Sequence, residues 1–92
     1  MSALLDKHDA EFLKFDRIAM PRSFRADLHA FLMLDSLVPG EYDIVSAAEH
    51  DEIYLSVDVA KLSAVVTEGQ VIDLVRCGVR YVAEQEALAM FV

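Results

Sequence analysis

"DIVSAAEHDEIYLSVD", residues 43–58, decides the fold. Closing a hairpin on His50–Asp51 sets Ala48 opposite Ile53, Ser46 opposite Leu55 and Ile44 opposite Val57 on one face. Val45, Ala47, Tyr54 and Ser56 then occupy the other face, so the segment reads as a half-buried antiparallel pair. The same register would bring Asp43 against Asp58, an unfavourable pair of like charges. That conflict vanishes if Asp58 leaves the strand and caps a following helix.

Working outward, "VAKLSAVV" (59–66) supplies that helix, and "TEGQ" (67–70) opens the next one. Thr67 and Gln70 stand at capping-box spacing, where each side chain satisfies the other's exposed amide. The helix "EGQVIDLVRC" is expected to stop at Gly78 in a left-handed cap. "VRYVA" and "ALAMFV" then form a second hairpin around Glu84–Glu86. A three-residue loop puts Val79, Tyr81, Ala83, Ala87, Ala89 and Phe91 on one face, and Arg80, Val82, Leu88, Met90 and Val92 on the other. Both faces are apolar, so helices must cover one, and a second subunit is the natural cover for the other.

Upstream, "VPGE" (38–41) carries the Pro-Gly pair of a type II turn. Residues 3–19 place Leu4, Leu5, His8, Phe12, Phe15 and Ile18 at helical spacing. After Pro21, Ser23 caps a second helix with Phe24, Leu28, Phe31 and Leu32 on one stripe. The order α-α-β-β-α-α-β-β predicts a single α+β domain over residues 1–92, with a small, mainly antiparallel sheet packed against helices.

The totals narrow the function. In a chain of 92 residues, 55% are hydrophobic, more than a small core hides, which points to an apolar contact surface. Cys77 is the single cysteine, so neither an intrachain disulfide nor a thiolate zinc site can form within one copy. No export signal or membrane-spanning run is expected, and the chain reads as cytoplasmic. The net charge of −8 is uneven: residues 1–25 hold five basic and four acidic groups, residues 26–92 three and twelve. That excess of acid argues against direct binding to nucleic acid.

Glu49, His50, Asp51 and Glu52 gather a histidine and three carboxylates at the first hairpin tip. Adjacent turn residues diverge, whereas a metal needs ligands that converge, so these residues read as a solvated tip or a recognition loop. His8 and His29 lack HExxH spacing, no serine lies in GxSxG, and no glycine-rich phosphate loop is present. No catalytic residue, metal or cofactor is therefore assigned. Lys14, Arg17, Arg22 and Arg25 are interleaved with Phe15 and Phe24. They can pair locally, as Glu11 with Lys14 one turn on, bind phosphates or an acidic partner, or dock on the acidic part of a neighbouring copy.

"DLVRCGVRYVAEQEALAMFV", with "LVPGEYDIVSAAEHDEIYLSVD" before it, resembles short uncharacterised proteins of bacterial genomes and prophages over residues 38–92. The resemblance implies an accessory protein acting by contact with another macromolecule, and carries no functional residue across. The reading is of a non-enzymatic interaction or regulatory protein, a homodimer that also contacts an unidentified protein, with no nucleic-acid or membrane partner. Tyr81, Leu88, Met90 and Phe91 are the expected self-association surface or the core beneath it. Two alternatives stay open: an acidic inhibitor that mimics nucleic acid, and a small enzyme whose site lies between subunits, with His8, His29 or His50 as general base.

Overall fold

The computed structural model describes residues 2–91 as an α+β fold. A short helix α1 (Ser2–Asp6) and two 3-10 turns (Asp9–Glu11 and Phe15–Arg17) precede helix α2 (Ala26–Leu37). Strands β1 (Val45–Glu49) and β2 (Glu52–Leu55), helices α3 (Val59–Val65) and α4 (Glu68–Arg76), and strands β3 (Arg80–Val82) and β4 (Ala87–Phe91) follow. The sheet is antiparallel throughout in the order β1-β2-β4-β3, so the two hairpins join edge to edge along β2 and β4.

Local chemistry explains the middle of the chain. Asp58 leaves the strand and accepts hydrogen bonds from the Ala60 and Lys61 amides at 3.0 and 3.1 Å, capping α3. At the start of α4 the Gln70 amide donates to Thr67 Oγ1 (3.2 Å), and the Thr67 amide donates to Gln70 Oε1 (2.9 Å). That is the reciprocal box the spacing implied. At its other end Gly78, with φ of 90°, donates to the Val75 carbonyl, and Val79 to that of Leu74. These two bonds form a Schellman motif around a left-handed glycine.

Four local expectations are corrected. The helix expected over residues 3–19 stops at Asp6, because the chain turns to reach the end of α4. Leu13 takes a φ of 62° and donates its amide to the Val75 carbonyl at 3.2 Å, a long-range bond that displaces helical continuation. α2 begins at Ala26 rather than after Ser23, whose hydroxyl accepts from the Arg25 amide in a local turn instead. Gly40 is not in the positive-φ region, so "VPGE" ends α2 without a type II turn.

The fourth correction concerns strand register. The first hairpin pairs Ala48 with Ile53 as expected, but a bulge at Ser46 sets Val45 opposite Leu55, and the Ser56 amide donates to the Ile44 carbonyl. The Ser46 hydroxyl donates to the Tyr54 carbonyl, giving the extra residue a partner. In the second hairpin Val82 faces Ala87, so the loop is Ala83–Glu86, four residues, with Glu86 at a φ of 50°. One extra residue swaps faces. Tyr81 now shares the inward face with Leu88 and Met90, while Arg80, Val82, Ala87, Ala89 and Phe91 point outward. Val92, expected beside Met90, lies outside the described residues.

The core lies between the inward sheet face and the helices. Leu55, Leu88, Met90 and Val79 pack with Leu34, Leu62, Val71, Leu74 and Val75, and every sheet residue in this cluster comes from the inward face or its flanks. Leu34, Leu55, Leu62, Leu74 and Leu88 are almost wholly removed from water. Each such side chain contributes ~1.5–3 kcal/mol of transfer free energy.

Candidate contact surface

α2 buries His29, Ala30, Met33 and Leu34. Of the stripe expected on this helix, Phe31 packs against the core, whereas Leu28 and Leu32 lie on the other side and stay 43% and 48% exposed. The helix is thus apolar nearly all round, as buried helices are, yet one flank faces water. Ahead of it Met20 and Phe24 are 90% and 94% exposed. The segment Arg22–Arg25 has two basic side chains with no ion pair or side-chain hydrogen bond among the described residues.

A cleft of about 390 Å³ opens at the end of the sheet where β2 begins and β4 finishes. Leu13, Ile53, Met90 and Phe91 give it apolar walls, and Ala26 and Asp27 from the first turn of α2 form its rim. The acidic hairpin tip adjoins the same end, since Glu52 pairs with Phe91 and Glu49 with Glu52. Glu49, His50 and Asp51 are exposed. Glu52 instead turns along the outward face to bond Arg80, whose guanidinium lies 4.3 Å from the Phe91 ring centroid. That contact ties β3 to β2 across β4 and leaves Arg80 Nε without a partner.

The four residues expected at the self-association surface or in the core beneath it divide between the core and the outward face. Leu88 and Met90 are 0% and 5% exposed, Tyr81 packs against the same core, and only Phe91, 53% exposed, stands outside. The tip residues do cluster, but Glu52 is committed to Arg80. Among the described residues no group of three or more His, Cys, Asp or Glu side chains converges as a metal site would require. No helix of the described residues is long and apolar enough to cross a membrane.

The titratable groups are held by packing and pairing. His29 is 2% exposed; its Nδ1 accepts from the Arg22 amide at 2.9 Å, and Nε2 has no partner. Burial pushes its pKa below the ordinary histidine value, against a smaller opposing pull from Asp73. Burial likewise pushes the Cys77 thiol up to about 12, with Asp73 adding to the effect, which makes it a poor nucleophile. Glu11 pairs with Arg76 (3.2 Å) and Arg17 (3.0 Å), not with Lys14, and its carboxyl sits below the usual range chiefly through Arg76. His8 and Lys7 both reach Glu68, at 3.2 and 3.1 Å.

Sequence reasoning overlooked the cleft and the isolation of Phe24. The available signal was the run Met20, Phe24, Leu28, Leu32 at four-residue spacing beside a second apolar set at His29, Ala30, Met33 and Leu34. One helix cannot turn both sets toward a single core. No family model, curated protein or solved structure matches the chain.

Proposed function

We propose that the chain is a non-enzymatic interaction module that self-associates and acts through protein–protein contact. The observation that carries this reading is the water-facing apolar flank formed by Leu28 and Leu32 on α2, with Met20 and Phe24 ahead of it. Large apolar side chains left in water over one short stretch of chain, residues 20–32, are the kind of feature that marks a contact site. A net charge of −8 favours a protein over a nucleic acid as partner. The lone buried cysteine suits the reducing cytoplasm.

Sedimentation equilibrium across a wide concentration range tests the reading. The wild type is expected to associate, and Leu28→Glu combined with Leu32→Glu to remain monomeric with an unchanged circular dichroism spectrum. A wild type that stays monomeric at every concentration would remove self-association from the function.

A further inference from the structure

Resting on the self-association reading, we propose the partner and its seat: a second copy of this chain, with Phe24 of each copy inserted into the Leu13–Ile53–Met90–Phe91 cleft of the other. Phe24 is 94% exposed and so does not occupy the cleft of its own copy, although Ala26 on the cleft rim is two residues away. An aromatic ring left in water is a strong driver of association, because burying one removes ~150–250 Å² from solvent.

The cleft has the size and lining for it. An apolar cavity of ~150 Å³ is enough to hold a benzene ring, and this one measures about 390 Å³ with aliphatic, thioether and aromatic walls. Met90 and Phe91 can meet an incoming ring through sulfur–aromatic and edge-to-face contacts.

Charge selects a second copy as the occupant. Phe24 is flanked by Arg22 and Arg25, both exposed and without an ion pair among the described residues. Asp27 is the one charged residue lining the cleft, and the exposed Glu49 and Asp51 stand at the adjoining hairpin tip. A basic–aromatic–basic segment therefore meets an apolar hole whose one charged lining residue is a carboxylate. Both halves lie within a few residues of each other at the start of α2, so one two-fold axis there satisfies both contacts at once. Such an isologous pairing closes on itself and stops at a dimer. The Leu28 and Leu32 flank then lies beside the axis, where it adds apolar area to the same contact.

The test joins oligomeric state to a mixed disulfide. Sedimentation is run on the wild type, Phe24→Asp, Arg25→Glu, and Arg25→Glu with Asp27→Lys. Phe24→Asp is expected to weaken association by ~100-fold or more, as loss of a buried aromatic anchor does. Arg25→Glu should weaken it ~10-fold, and the added Asp27→Lys should recover most of that loss, since the reversed charges pair again across the interface. One chain carrying Phe24→Cys is then mixed with another carrying Phe91→Cys under mild oxidation, both with Cys77, which also lines the cleft, replaced by Ala, and a covalent dimer of the two is expected. A monomeric wild type overturns both this seat and the self-association reading. A dimer indifferent to Phe24→Asp overturns the seat while self-association stands. Loss of the dimer in Phe24→Asp without the mixed disulfide overturns the cleft as the seat.

Discussion

Among the described residues three that are not glycine hold a positive φ: Leu13 at 62°, His50 at 56° and Glu86 at 50°. Each costs ~1–2 kcal/mol unless a surrounding contact compensates. Leu13 has such a contact in its bond to the end of α4, and its side chain lies over Gly78. A Cβ added to Gly78 would meet Leu13 Cδ2 at 2.6 Å, at a φ of 90° that already disfavours a side chain. Gly78→Ala is therefore expected to lower the unfolding free energy by ~2 kcal/mol in urea titration. The exposed His50 has no comparable anchor, so replacing His50–Asp51 with Asn-Gly should leave folding intact or raise stability slightly. Buried His29 gives a pH signature. Because the folded state holds its pKa below the ordinary histidine value, the unfolded chain takes up a proton first as pH falls. Unfolding free energy is thus expected to drop as pH falls below ~6.5 and to level off once folded His29 also protonates. His29→Gln, whose side-chain oxygen can still accept from the Arg22 amide, should remove that slope in urea titrations over the same range. The bonds of Glu11 to Arg76 and Arg17, and of Glu68 to Lys7, act in a separate, more acidic window: both carboxyls sit below their ordinary range, so their contribution is lost as pH falls through it.

At the scale of elements, the two sides of α2 should respond differently to the same change. Leu34→Ala is expected to cost ~2–5 kcal/mol, because it opens a cavity among fully buried side chains. Leu32→Ala, on the water-facing flank, should stay within about 0.5 kcal/mol for the dilute monomer. Thermal unfolding of the pair at low concentration measures the contrast. Local signals in the chain were readable wherever a few adjacent residues settle the geometry. Asp58, the Thr67–Gln70 box and Gly78 mark the ends of α3 and α4 because caps are satisfied within one turn. Ala48 and Ile53 fix the first hairpin near its tip for the same reason. The N-terminal segment was misread because its periodic apolar residues compete with a bond from Leu13 to Val75, sixty-two positions along the chain. The loop after β3 was misread by one residue because a left-handed Glu86 has no marker comparable to glycine. That slip set Tyr81 on the face of Leu88 and Met90, opposite Phe91, with which the three-residue loop had grouped it. Spacing also grouped Leu28 with Leu32 correctly, but which apolar side of α2 meets the core depends on the sheet that receives it.

At the scale of the molecule, a chain this short has a thin margin of stability, and association adds to it. The thermal midpoint of the wild type is expected to rise with protein concentration, while that of Phe24→Asp should not; differential scanning calorimetry at several concentrations separates the two. The join between the hairpins, β2 against β4, has a kinetic consequence. Each hairpin closes over a short loop, but Glu52 must find Phe91 and Leu55 must find Leu88 across more than thirty intervening residues. Bringing such distant segments together is the slow part of assembling a sheet. The hairpins and their helices can flicker into being early, and the seam between them should set the folding rate. Amide exchange would then divide the sheet. Amides along β2 and β4 should release their protons only when the whole chain opens, while those of β1, exposed along its length at the rim, should trade with solvent through small local breathing.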